Sequence, residues 1–165
     1  MIRKFWIVRS RSKLFWGLTF AISLFMLGYT LLNLLVLEDR VPWYPFFAPA
    51  EGERSKYLLL LLPLISLLFG LLLYLDFRRN ALPRLFYRAG SSDALRQKRL
   101  AVYQTMELYA AFLLALFLSF WQLDRLNGAK QLPGFAPLVP ILLLAALLVW
   151  LVYSLIRLLR IKDSQ

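Results

Sequence analysis

Glu107 is the acidic residue of this chain that lies deepest inside an apolar run. Residues spaced by three or four positions share one face of an α-helix, and Glu107 belongs to such a set. Its members, called here the Glu107 stripe, are Tyr103, Glu107, Ala111, Ala115, Ser119 and Gln122. Small residues at four-residue intervals let helices approach closely in lipid. The stripe is therefore predicted to contact other helices.

A carboxyl inside an apolar helix is by default a candidate for function, and proton or ion transfer is the chemistry that it offers. Transport would favour further acids at the same depth, and Asp76 is the other candidate. The structural alternative is an ion pair, or a protonated carboxyl hydrogen-bonded to Tyr or Ser. A second polar face lies on the last apolar run. We expect Glu107 to meet one of four side chains: Tyr74, Tyr153, Ser154 or Arg157.

The 165 residues include no cysteine and no histidine. The chain therefore has no disulfide, thiolate metal site or iron–sulfur cluster of its own, and no serine–histidine hydrolase arrangement. It also shows no Gly-rich phosphate loop and no carboxylate cluster with metal spacing. An enzyme of this composition would have to work with Glu, Asp, Lys, Arg, Ser or Tyr alone. The sequence predicts no catalytic residue, no cofactor and no metal, and the expected protein is not an enzyme.

Four nearly uncharged apolar runs are each long enough to cross a hydrocarbon core of about 30 Å, which takes roughly 20 helical residues. They cover residues 14–37, 57–77, 101–123 and 136–159. Backbone groups in lipid must be satisfied within their own segment, and these Leu-rich runs lack the period of barrel strands. The predicted fold class is an all-α integral membrane protein: one domain, residues 1–165, with four transmembrane helices. The first run is too long for a cleavable signal, so we expect it to be retained.

The Lys and Arg residues are unevenly distributed along the chain. Fifteen lie in the N-terminal segment, the connection 78–100 and the C-terminal tail, and five lie in the other two connections. The positive-inside rule then predicts that both termini and the basic loop 78–100 face the cytoplasm, with loop 38–56 outside. This asymmetry accounts for the net charge of +11, so no nucleic acid is expected as partner.

Anionic lipid headgroups are the expected partners of the basic loop. The residues expected to contact them are Arg78, Arg79, Arg84 and Arg88. Residues 80–90 suit either a helix on the membrane surface or a solvated loop. Ser92 is predicted to cap a helix that begins near Asp93 and that could continue into the third apolar run.

The outer loop contains the stretch VPWYPFFAPAEGERSK, Val41–Lys56. Its prolines disfavour a regular helix, and its aromatic rings suit the headgroup layer of a membrane. We therefore predict an ordered interfacial loop that is centred on Pro42, Trp43, Tyr44, Phe46 and Phe47.

The order of residues in this loop resembles a short bacterial membrane domain of unknown function, which also forms the N-terminal part of SdpI-type toxin-immunity and signalling proteins. The matching pieces are Val41-Pro42, Trp43-Tyr44, Gly52-Glu53, Lys56, and Pro63 in LLLLLPLISLL. The resemblance covers roughly residues 14–75. It implies a small multi-span protein with an ordered outer loop, and it supplies no catalytic residue.

The leading hypothesis is a non-enzymatic accessory or scaffolding subunit that packs against a larger assembly in the cell (inner or plasma) membrane of a prokaryote. Its expected partners are membrane lipids and other membrane-protein subunits. One alternative is a stand-alone SdpI-like immunity or sensor protein, whose outer loop recognises its partner. Another is a small transporter or lipid-handling protein that uses Glu107. Inverted repeats would favour a transporter, and the two halves of the chain show no convincing similarity.

Overall fold

The computed structural model describes residues 2–42, 52–79, 93–130, 132 and 138–161, with the backbone alone for residues 2–11 and Ala94. Its four long helices are α1 (Ile2–Leu34), α2 (Leu61–Arg79), α3 (Asp93–Ala129) and α4 (Leu138–Arg160). Two short strands, β1 (Arg40–Pro42) and β2 (Glu53–Ser55), lie between α1 and α2. A 3₁₀ helix, Lys56–Leu60, leads from β2 into α2.

Each long helix, α2 together with the 3₁₀ helix that precedes it, provides a stretch that is long and apolar enough to cross a membrane. These stretches are Ser12–Leu34, Lys56–Arg79, Leu95–Ala129 and Leu138–Arg160. The predicted all-helical class with four apolar helices is confirmed, but the bounds differ. α1 begins well before residue 14 because its basic leader has no Gly or Pro to interrupt a helix. α3 is one helix from Asp93 onward, as the sequence indicated.

The helices run alternately up and down, and α3 is the central one. It packs against α1, α2 and α4, whereas α4 packs chiefly against α3. The directions follow from contacting pairs: Trp16–Tyr74 and Ser23–Ser66 between α1 and α2, Phe15–Tyr109 and Thr30–Gln122 between α1 and α3, and Tyr109–Trp150 and Arg99–Ile161 between α3 and α4.

The two ends of the bundle differ in charge. The "hairpin end" carries the two strands, the ends of α1 and α3 and the starts of α2 and α4. The "basic end" carries the start of α1, the end of α2, the start of α3 and the end of α4. Of the Lys and Arg residues that the structure describes, those in these four segments lie at the basic end, and Arg40, Arg54, Lys56, Arg125 and Lys130 lie at the hairpin end.

The surface of the bundle is more apolar than parts of its interior. Phe25 is 69% exposed and Leu35 is 83% exposed, whereas Thr30 and Gln122 are fully buried. In water this arrangement would expose costly apolar area, but in lipid the apolar side chains face a matching solvent. Polar groups must then turn inward to find partners.

The β1–β2 hairpin closes the hairpin end. Val41 pairs with Arg54 across the strands and is 2% exposed, in one cluster with Leu34, Leu59 and Leu126. Gly52 precedes β2 with φ of 66°, a conformation that glycine adopts without strain. The sequence predicted an irregular proline loop here, and these strands were missed because each has only three residues.

Lys56 fastens the hairpin to the end of α1. Its Nζ donates to the Leu37 carbonyl at 3.0 Å and lies 3.1 Å from Asp39 Oδ1, while its backbone N–H donates to the Asp39 carbonyl. The Asp39 side chain is 92% exposed, so water screens the ion pair and the carbonyl bond holds the lysine. Of the predicted loop residues, Pro42 ends β1. The four aromatic residues, Trp43, Tyr44, Phe46 and Phe47, lie outside the described residues.

Candidate functional site

The Glu107 stripe faces the inside of the bundle. Glu107, Ala111, Ala115, Ser119 and Gln122 are at most 8% exposed, and Tyr103 is half-buried. The two alanines give α3 a flat surface on which α1 and α2 can pack closely, because an alanine side chain adds little width to a helix. Ala111 belongs to the same cluster as Trp16 and Leu108.

An acid pocket lies on this stripe toward the basic end. Glu107 is 3% exposed, and both its carboxyl oxygens are buried without a hydrogen bond in the described part of the chain. The Asp76 carboxyl, near the end of α2, faces both Glu107 and Tyr103. We call the set of Asp76, Tyr103, Glu107 and Trp16 the acid pocket.

Aromatic rings lie beside the two acids and form what is called here the wall of the acid pocket, because Trp16, Tyr74 and Phe77 pack in one cluster with Leu108, the neighbour of Glu107 on α3. The Trp16 ring is 4% exposed and contacts Tyr74 and Phe77 edge-on, with ring centroids 5.3 and 5.6 Å apart. The Trp16 indole N–H is buried without an acceptor among the described residues. Since rings of this size exclude water from their contacts, the pocket combines acids with an apolar wall.

The expected partners of Glu107 on α4 lie elsewhere. Arg157 is exposed and forms no ion pair with Glu107 in the described chain, and Tyr153 is 54% exposed. Ser154 is the one of the three that is buried. The spacing of residues along α4 placed them at a suitable depth, but depth does not fix the rotation of a helix about its axis. The acid of α2, Asp76, takes the place that Arg157 was expected to fill.

A second polar feature, the α1 seam, was not predicted from the sequence. Residues alternating by three and four positions along α1 are all buried: Ser12, Trp16, Thr19, Ser23, Met26, Thr30 and Asn33. The spacing is the seven-residue repeat of packed helices, here with Ser and Thr at several positions where leucine is common. The repeat was visible in the sequence, but Ser and Thr occur on every side of membrane helices, so polarity alone gave no signal.

Two hydrogen bonds join the α1 seam to its neighbours. Ser23 Oγ lies 2.7 Å from Ser66 Oγ of α2, and Gln122 Nε2 of α3 donates to Thr30 Oγ1 at 3.1 Å. Thr30 Oγ1 also donates to the Met26 carbonyl within α1, whereas Gln122 Oε1 is buried without a hydrogen bond in the described chain. Buried Met26 separates the two interhelical bonds. They are therefore separate points of attachment between helices.

The predicted lipid-headgroup contacts are described only in part. Arg78 and Arg79 are exposed at the end of α2, and the Arg78 guanidinium lies 5.9 Å from the centre of the Tyr74 ring. Arg84 and Arg88 lie outside the described residues. The described arginines stand at the basic end, where an interfacial headgroup layer would meet α2 if the helix spans a membrane.

The chemistry open to the acid pocket is limited by its groups. No set of three or more Asp and Glu side chains within metal-binding distance occurs in the described ranges. Two carboxyls and a phenol can instead hold a proton or a single cation between them, because like charges a few ångströms apart are costly in an apolar setting. The pocket is thus suited to binding one positive charge.

The four apolar helices and the inward-facing polar groups define the class: a multi-pass α-helical membrane protein. Scans against protein-family models, curated proteins and solved structures each found no match to this chain. The resemblance to the SdpI-type membrane domain therefore stays a prediction.

Proposed function

We propose that this chain is an accessory subunit of a larger membrane assembly, which it joins through an exposed face of α1. Gly17, Ala21 and Gly28 share that face at spacings of four and seven residues, and all three are exposed. A Cβ added at Gly17 or Gly28 would meet no atom within 4 Å in the described structure. A glycine within a helix costs about 1 kcal/mol relative to alanine.

The contrast with Gly70 supports this proposal. A Cβ at Gly70 would lie 3.7 Å from Phe20 Cε1 and 3.9 Å from Thr19 Cγ2, so Gly70 serves a contact within the bundle. Gly17 and Gly28 serve no such contact with the described residues, although the same lack of a side chain would let another helix approach closely. We infer that a transmembrane helix of another protein packs on this face.

A pair of variants tests the docking face. Gly17→Leu combined with Gly28→Leu is expected to release the protein from its assembly in a mild detergent extract, measured by native gel and by identification of co-migrating subunits. Ala145→Leu with Ala146→Leu adds three carbon atoms per site, against four for Gly→Leu, to the exposed side of α4 and serves as the control. The proposal fails if the glycine variant co-migrates like the wild type. It also fails if Ala21→Cys cross-links only to a second copy of this chain.

The orientation that we propose places the basic end in the cytoplasm of a prokaryotic cell. The support is the distribution of Lys and Arg, fifteen against five, since positive residues are retained on the cytoplasmic side. The native chain has no cysteine, so single cysteines report cleanly. Glu53→Cys should react with an impermeant reagent from outside the cell, and Gln97→Cys should not. The reverse pattern would overturn the orientation.

The acid pocket favours a second candidate function, the transfer of protons or small cations. Its support is the burial of both Glu107 oxygens without a hydrogen bond in the described chain, opposite the Asp76 carboxyl. Flux into proteoliposomes separates the two functions. If Glu107→Gln abolishes a measured flux while co-migration stays intact, transport replaces the accessory role. If the wild type carries no flux, the pocket has no transport function.

A further inference from the structure

The structure contains a basic groove on the opposite side of α3 from the acid pocket. Six residues from α3 and the end of α4 line it: Lys98, Ala101, Val102, Thr105, Arg157 and Ile161. Its volume is about 340 Å³, at the lower end of the range for small-molecule sites. One cation comes from each side, and no acidic side chain is among these lining residues.

The frame of the groove is fixed by a contact between the two sides. Arg99 Nη2 donates to the Ile161 carbonyl at 3.0 Å, which ties the first turns of α3 to the residue that follows α4. Thr105 Oγ1 donates to the Ala101 carbonyl within α3, so its oxygen lone pairs remain on the groove while its proton is used. Donors for a ligand therefore come from Lys98 and Arg157.

The position of the two cations favours an anion held between them. Arg157 lies one helical turn, about 6 Å, before Ile161 along α4, while Lys98 lies next to Arg99, the residue bound to Ile161. Lys98 and Arg157 therefore lie at different heights along the axis of the bundle. The small, apolar residues Ala101 and Val102 line the groove between them. Both side chains are exposed, and neither forms an ion pair with another residue in the described part of the chain.

We propose that this groove binds the phosphate of an anionic phospholipid, with Lys98 and Arg157 as its two cationic contacts. Basic pockets between membrane helices on the cytoplasmic side suit such headgroups. Ala101, Val102 and Ile161 offer an apolar wall to the adjoining glycerol and acyl region, which a free phosphate would leave unused. Which leaflet supplies the lipid depends on the orientation given under the proposed function. Binding of the lipid in the groove does not depend on that orientation.

Native mass spectrometry of the detergent-purified full chain tests the site independently of orientation. Phosphatidylglycerol, phosphatidylcholine and inorganic phosphate are titrated separately. The wild type is expected to retain phosphatidylglycerol in preference to the zwitterionic lipid. Lys98→Gln with Arg157→Gln should weaken this binding on the order of 25-fold, about 5-fold for each cation removed. The charge-preserving pair Lys98→Arg with Arg157→Lys should keep most of it.

The matched control removes two cations of the same end that lie outside the groove, Lys13→Gln with Arg96→Gln. This control should retain phosphatidylglycerol. Equal losses in both double variants would show general attraction to charge and would overturn the site. Binding of inorganic phosphate as strong as that of the lipid would also overturn it, in favour of a free anion. Reversed cysteine labelling with intact lipid binding would refute the orientation alone.

Discussion

The α1 seam and the acid pocket are both buried and polar, but they use their polar atoms differently. Along the seam, Ser23 and Thr30 each bond to a side chain of another helix. In the acid pocket, which shares Trp16 with the seam, both Glu107 oxygens and the Trp16 indole N–H are buried without a hydrogen bond in the described chain. Neutral groups that are bonded attach one helix to another. A carboxyl held without a bond is a cost to folding that ligand binding can offset.

The largest expected effect tests whether the pocket is held together by its aromatic wall. Trp16→Ala removes a ring that is 4% exposed and that contacts Phe20, Tyr74 and Phe77. Truncating such a residue in a soluble core costs about 3–5 kcal/mol, and in lipid only the packing part remains. We expect a loss of about 3 kcal/mol in the free energy of unfolding, measured by SDS titration in mixed micelles.

Trp16→Phe is the control for this prediction, because it keeps a ring in the pocket and is expected to cost about 1–2 kcal/mol. A Trp16→Ala variant as stable as the wild type would mean that the aromatic wall does not stabilise the fold. The idea that these rings hold the acid pocket together would then be wrong.

A smaller effect is expected at the seam, where a double-mutant cycle isolates one hydrogen bond. Thr30→Val and Gln122→Leu each remove one partner of the 3.1 Å bond between α1 and α3. Hydrogen bonds between membrane helices average about 0.6 kcal/mol, with a maximum of about 1.7. We expect a coupling energy in this range from the same SDS titration.

Thr105 offers a matched control, since its hydroxyl bonds only to the Ala101 carbonyl of its own helix among the hydrogen bonds of the described chain. The changes in the free energy of unfolding caused by Thr105→Val and by Gln122→Leu should be additive within about 0.5 kcal/mol. If the Thr30 cycle were equally additive, the hydrogen bond between Thr30 and Gln122 would contribute no measurable stability. The seam and the acid pocket would then not differ in the energy of their polar groups.

The smallest change in stability is expected at Glu107. Glu107→Gln keeps the shape of the side chain and breaks no hydrogen bond that the structure describes. The free energy of unfolding should therefore change by less than about 0.5 kcal/mol, the lower limit for losing one hydrogen bond. Glu38→Gln, at an exposed acid of the hairpin end, is the control. A loss of 2 kcal/mol or more would assign Glu107 a bonded, structural role and remove its contrast with the seam.

The spans and the face of α3 could be predicted from the sequence because both depend on periodicity. Apolar run length located all four helices, and the four-residue spacing from Tyr103 to Ser119 predicted which side of α3 turns inward. Neither property requires knowledge of other helices. The bounds were less accurate, since hydropathy marks apolar residues and does not mark where helical hydrogen bonding stops.

The contacts between helices could not be predicted in the same way. Asp76 rather than Arg157 faces Glu107, because the rotation of α2 and α4 about their axes is set by packing and not by depth. The α1 seam was not predicted for a related reason. The hydrogen bond between Ser23 and Ser66 depends on how α1 and α2 pack side by side, and the sequence of α1 alone does not give that packing. The hairpin was missed because three residues carry too short a pattern to indicate a strand.

The peripheral position of α4 has a consequence for the order of synthesis. α4 packs chiefly against α3, and the interhelical hydrogen bonds described here for the α1 seam join α1 to α2 and to α3. While a ribosome is still extending the chain, the first three helices can therefore pack together before α4 has been synthesised. The fourth then docks onto a surface that is already formed. An error in its insertion would leave the seam intact and affect the groove at Lys98 and Arg157.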